Sequence, residues 1–281
     1  MSGEPAHAAT MGGGCEVDQA RLSKALADAV AAGGSEAALA VCRACVEWLP
    51  MTGASITMMT VAEVQEPVCA TDAVSARIDE LQFGLGDGPC VESFRTGRAV
   101  LVPDIADPSE NRWPVFAEAA AATGARGMFV FPLLVGGARI GVLDCYRDAP
   151  GPLDDEDLTG ALRTADAAVW SLLDRTHPGG DGPAGAPDGS ALVRAEVHQA
   201  TGMLMAQARL DAPSALARLR AYSFSTERTI TEVADEVLAR RLRLHPDGVW
   251  SDAATGNPSY GETPSDDPVD SPSRDDEENP S

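Results

Sequence analysis

Lysine is almost missing from this chain of 281 residues: Lys24 stands against twenty arginines. That ratio reads as codon bias, so an arginine count alone locates no binding site. Positive charge is scarce as a whole, with 21 Lys and Arg against 43 Asp and Glu and a net charge of −22. Such a balance excludes general coating of nucleic acid and adsorption to an anionic membrane, so any polyanion contact must be local. No apolar run approaches the roughly twenty residues of a membrane span. The N-terminus has no basic stretch followed by an apolar segment, so no secretion signal is expected and the chain is expected in the cytoplasm. Histidine is limited to His7, His177, His198 and His245. They are scattered, serines and cysteines have no obvious base beside them, and no catalytic residues are assigned. The chain is not expected to be an enzyme. The six cysteines (Cys15, Cys42, Cys45, Cys69, Cys90 and Cys145) are expected to be reduced. Cys42 and Cys45 form a C-x-x-C pair inside a helical pattern, with no second pair or histidine cluster for zinc, so they read as small buried residues and no metal site is expected.

What is present divides the chain into five parts. Residues 1–17 are Gly/Ala-rich without periodicity and are expected to be disordered. Residues 18–175 carry the first folded unit. Leu22, Leu26 and Val30 predict a helix over 18–32, ended by Gly33 and Gly34; Ser35 is expected to cap a second, with Leu39, Cys42, Val46 and Leu49 on one face. Ala54 to Val61 and Glu66 to Thr71 read as strands. Residues 72–80 are ambiguous between helix and loop. The Gly84-Leu-Gly-Asp-Gly-Pro-Cys90 run reads as a tight strand-to-helix turn, since its spacing fits neither phosphate-binding fingerprint and no Lys comes after it. Cys90, at a helix start, is the thiol best placed to react. A short strand (99–102), a helix (113–123), a hairpin turning at Gly136-Gly137 and a closing helix led by the acids 154–157 complete the unit. The sum is an α+β sandwich, an antiparallel sheet with helices on one face.

The hairpin from Phe129 to Leu143, with the Gly-rich run upstream, resembles a GAF domain, in the version joined to an ANTAR module in actinobacterial proteins. The resemblance implies a sensory domain with a small-molecule or redox pocket; the cofactor or ligand is unknown. Residues expected to line it are Phe83, Cys90, Trp113, Phe116, Met128, Phe131 and Cys145. A ligand-free dimerisation platform remains open.

Residues 176–190 form a Gly/Pro linker: from His177 to Ser190, eight of fourteen residues are Gly or Pro. A flexible chain of that length spans on the order of 20 Å, which argues against a rigid rod and for loose control of the C-terminal unit by the first. Residues 191–244 predict three short helices, the second capped by Asp211 and the third by a Thr229–Glu232 capping box. About fifty-five residues make a marginal core, so this unit is expected to pack on a partner copy or on the rest of the chain. From Ser190 to Leu244 there are eight arginines and six acids, net +2, the only net-basic part of the chain. The runs Val197 to Ala206, Ala215 to Ser223 and Glu232 to Val237 resemble the ANTAR family of RNA-binding antiterminator modules. Thr201 stands where many members have lysine. The resemblance implies a small all-α domain that binds stem-loops of nascent transcripts, with a homodimer offering two such units; the residues expected to contact RNA are Arg194, His198, Gln199, Thr201 and Gly202 on the first helix and Arg218, Tyr222, Ser225, Thr226 and Arg228 at the second helix and the turn after it. A helix-turn-helix reading on DNA and a dimeric scaffold without nucleic acid stay open. Residues 245–281 carry ten acids and one Arg, and are expected to be a disordered tail able to compete with RNA for the basic face.

Overall fold

The computed structural model describes residues 18–34, 36–60, 64–174 and 190–252. The expectations for 1–17, for most of the linker, for the Ser35 cap and for the tail beyond 252 lie outside the described residues.

Two helices open the first domain, α1 (Gln19–Ala32) and α2 (Ala37–Trp48). Asp18 caps α1 by accepting from the Arg21 amide, and Gly33 closes it at φ 62°. The sheet has five antiparallel strands: β1 (Gly53–Met59), β2 (Gln65–Ala70), β3 (Val100–Val102), β4 (Gly127–Val135) and β5 (Ala138–Arg147). Their order is β2-β1-β5-β4-β3. Between them lie α3 (Ala73–Leu85), α4 (Pro89–Thr96) and α5 (Pro114–Ala121), and α6 (Asp155–Asp174) closes the domain.

Helices cover both faces of the sheet, not one as the sequence suggests. On one face α1, α2 and α6 bury Leu22, Val41, Cys42, Cys45, Ile56, Phe129, Phe131, Leu143 and Cys145. On the other, α3, α4 and α5 bury Ile78, Cys90, Phe94, Trp113, Phe116, Met128, Val130 and Val142. The strand period of two sorts β4 between the faces, Met128 and Val130 to one and Phe129 and Phe131 to the other.

The ambiguous stretch after β2 is the helix α3, started by a capping box between Asp72 and Ser75. Its pattern is unclear in sequence because it faces two neighbours, the sheet and the C-terminal helices. The Gly-rich run consequently joins two helices and does not come after a strand. Gly86 takes the left-handed conformation that ends α3, at φ 67°.

The C-terminal unit comprises α7 (Ser190–Ala208), α8 (Ala212–Ser225) and α9 (Ile230–Leu238). Asp211 accepts from the Ser214 amide, and the Thr229–Glu232 capping box makes both of its bonds. The fold continues past 244, where the sequence places the start of the tail. A hairpin of β6 (Leu242–Leu244) and β7 (Trp250–Asp252) lays Leu242, Leu244 and Trp250 on the helices. Its register is held by the Gln207 side chain, which accepts from the Leu244 amide at 3.2 Å. Among the described residues, no helix is long and apolar enough to cross a membrane.

Candidate functional site at the joint of the two domains

The core of the C-terminal unit contains a residue of the first domain. Phe83, near the end of α3, is 2% exposed and packs in the cluster of Val197, Leu204, Leu219, Tyr222, Ile230 and Val233. Three side chains of the C-terminal unit close around it. The Arg194 guanidinium lies over the Phe83 ring at 4.6 Å, and the half-buried His198 ring meets it edge-on at 6.0 Å. Arg220 donates from Nε to the Phe83 carbonyl at 3.1 Å. A Cβ at position 86 would stand 2.5 Å from Arg220 Nη1, so Gly86 serves the joint as well as the turn. Arg220 thereby gives α3 a cation at its C-terminus, where α3 has none of its own.

Beneath this contact runs a buried polar seam. Arg194 donates from Nη2 to Asp79 Oδ2 at 2.5 Å, both side chains being almost wholly buried. Thr57 of β1 donates its hydroxyl to the other Asp79 oxygen at 2.7 Å. One turn on, Gln82 donates to Asp144 of β5 at 3.4 Å and accepts the Cys90 amide at 2.7 Å. Burial, and after it the charge of Asp79, pushes the Asp144 carboxyl up to about 8. The seam connects the sheet through α3 to α7. Burial also lowers the pKa of His198, which favours the neutral ring.

The residues expected to line one pocket are divided among three places. Cys90, Trp113, Phe116 and Met128 are packed under α3–α5, Phe131 and Cys145 lie on the opposite face of the sheet in the cluster with α1, α2 and α6, and Phe83 turns into the helical unit. They therefore do not share a cavity. Cys90 is fully buried, and burial with the nearby Asp144 and Asp79 raises its thiol well above the ordinary value. Of the thiols it is the one placed at a helix start, but desolvation outweighs the dipole of α4 and Cys90 is a packed core residue. Cys42 faces Cys69, and Cys45 faces Cys145, each at 3.7 Å in the core.

The residues expected to contact RNA also separate. Gln199, Gly202, Arg218 and Ser225 are exposed, and His198, Thr226 and Arg228 partly so. Arg194, Thr201 and Tyr222 are buried in this arrangement. Arg194 is held by Asp79, Thr201 donates to the Val197 carbonyl, and Tyr222 stacks on Trp250 with centroids 4.5 Å apart. Phe224 is the aromatic ring that α8 exposes, at 64%.

A sheet domain clasped by a small helical unit makes this a two-domain protein. The family models agree: a GAF domain matches residues 35–173 and an ANTAR domain residues 191–238. The chain belongs to the proteins that join a GAF domain to an ANTAR domain in that order, the build of a signal-responsive antitermination regulator. Both domains are regulatory, not catalytic. No curated protein matches the chain. Among solved structures, the chain is similar to the GAF domain of a phosphoenolpyruvate-protein phosphotransferase from Coxiella burnetii, at 15% identity over 56% of this chain and 96% of that one, TM-score 0.44. It is similar to the corresponding GAF domain from Acinetobacter at 9% identity, 56% and 94% coverage and TM-score 0.42. A free methionine-R-sulfoxide reductase from Neisseria meningitidis matches at 16% identity, 57% and 93% coverage and TM-score 0.38.

Proposed function

We propose that this chain is a cytoplasmic regulator whose ANTAR domain binds hairpin loops of nascent RNA and keeps a terminator from forming, with the GAF domain setting when that face is available. Two recognition units on a homodimer engage paired hairpins. The observation that carries the reading is the ANTAR match over a unit that exposes Arg209, Arg218, Arg240, Arg241 and Arg243 on a chain of net charge −22. Phe224 on the same unit supplies a face on which a splayed base can stack. The joint supplies the control. Arg194 is sequestered by Asp79, so access to that end of α7 requires the domains to part.

The test is competition between a two-hairpin RNA and duplex DNA for the full chain across a salt series. RNA should win at every salt concentration. Replacing Arg218 with Ala should weaken RNA binding and reduce the slope of log K against log salt by about 0.7, as for one lost contact to a single-stranded phosphate. Preference for the duplex would favour the DNA reading, and binding to neither would leave the scaffold.

A further inference from the structure

A cleft of about 640 Å³ opens at the joint, between α3 and the α8–α9 corner. Its size falls in the roughly 300–1,000 Å³ range of small-molecule sites. Its lining is apolar at Leu81, Phe83, Leu85, Phe224 and Ile230. Arg77, Arg194, Arg220 and Arg228 line it as well, with Glu80 and Glu227. Among the described residues, Arg77 pairs with Glu80 at 3.2 Å, Arg228 with Glu236 at 3.6 Å and Arg194 with Asp79, while Arg220 donates to the Phe83 carbonyl.

Arg194 is nonetheless incompletely satisfied. Its side chain is 4% exposed, and only Nη2 is spent on Asp79. Its Nε and Nη1 are buried without a hydrogen-bond partner among the described residues. Two unmet donors on a buried guanidinium are costly, and an anion is the ligand that satisfies them best. The apolar lining residues add a second demand that inorganic phosphate does not meet.

We propose that this cleft is a binding site for a small amphipathic anion: an aromatic or otherwise apolar body carrying one carboxylate or sulfonate-like group. The apolar body lies between Phe224 and the α3 residues Leu81 and Leu85. The acidic group is taken by the arginines that line the cleft. Such a ligand touches both domains and so senses their docking. The site lies at the joint, outside the cluster that α3–α5 bury against the sheet.

The probe is 8-anilino-1-naphthalenesulfonate, an aromatic sulfonate that fluoresces when bound, titrated into the full chain. Its uncharged relative N-phenyl-1-naphthylamine is the control. The expected result is one saturable site for the sulfonate, with the neutral compound at least roughly tenfold weaker, the worth of one charge-assisted hydrogen bond. Phe224→Ala, and the pair Arg77→Gln with Arg228→Gln, should each weaken the sulfonate by about tenfold. These positions are at the surface, so the variants should fold, and an unchanged melting temperature checks that. Equal affinity for the neutral compound, affinity unchanged in both variants, or no saturable site would overturn the proposal. So would saturable binding that emerges only after residues 253–281 are removed, because the acidic tail would then be the occupant. Since RNA is absent from the assay, the proposal and the antitermination reading fail separately.

Discussion

The two domains are held together by different means. The GAF domain has two apolar clusters, one on each side of a sheet whose every strand is paired with a neighbour. The ANTAR unit has one cluster, and it is completed by Phe83 from outside and by a small hairpin after α9. A three-helix unit of this size buries too little of its own surface to be comfortable alone. The first domain lends it a phenylalanine and an aspartate, and receives in return an arginine at the end of α3. The difference teaches what each domain needs: the smaller unit depends on residues that it borrows.

Removing the borrowed charge should break this contrast most severely. Asp79→Ala leaves the Arg194 guanidinium buried without its counterion, a loss of roughly 4 kcal/mol to the joint. Hydrogen exchange should accelerate in α3 and α7 together while β4 and β5 stay protected. The double variant Asp79→Leu with Arg194→Met should recover much of that stability, since an apolar pair of similar volume replaces a buried ion pair at little cost. If the single and double variants are equally destabilised, the ion pair is not what holds the joint.

Phe83→Ala comes next, at about 3 kcal/mol for an aromatic ring lost from a core. Although residue 83 belongs to the GAF domain, the exchange rates should rise in α7, α8 and α9. A rise confined to the GAF sheet would erase the asymmetry between the domains.

Asp144 sharpens the comparison more gently. With its carboxyl raised to about 8 from the usual value near 4, the folded chain holds a proton that the unfolded chain releases. Stability from this group is complete below about pH 4 and drains away as pH rises towards 8. Asp144→Asn keeps the acceptor for Gln82 and removes the titration. Its melting temperature should exceed that of the parent by a few degrees at pH 8 and match it near pH 4. A gain independent of pH would mean that deprotonation is not the cost.

Much of this was legible in the residues. The capping box at Thr229, the Asp211 cap and the β4–β5 hairpin are written in short-range signals, and each forms as read. The joint was not. Asp79 and Arg194 are 115 residues apart, and neither marks itself as buried. Helix α3 carries Ile78 and Phe83 beside Asp79 and Gln82 because its two faces serve an apolar core and a polar seam. No single apolar stripe could have announced it. The assignment of Met128 and Phe131 to one pocket failed for a simpler reason: an odd step along a strand leads to its opposite face. The β6–β7 hairpin was concealed by brevity, two strands of three residues at the start of an acidic, Pro/Gly-rich stretch.

Arg220 carries a consequence for how such chains can be rebuilt. It closes the end of a helix that belongs to the other domain, touching the Phe83 carbonyl and the bare backbone at Gly86. The boundary at which one would cut to graft this effector onto another sensor therefore severs a shared helix terminus. A recipient sensor must bring an acidic residue at the position of Asp79, an aromatic ring four residues later and a glycine three further on. Without them, the transplanted helices lose the carboxylate that holds Arg194 and the helix end on which Arg220 rests. The two domains are separable in sequence, but they are inherited as a matched lock.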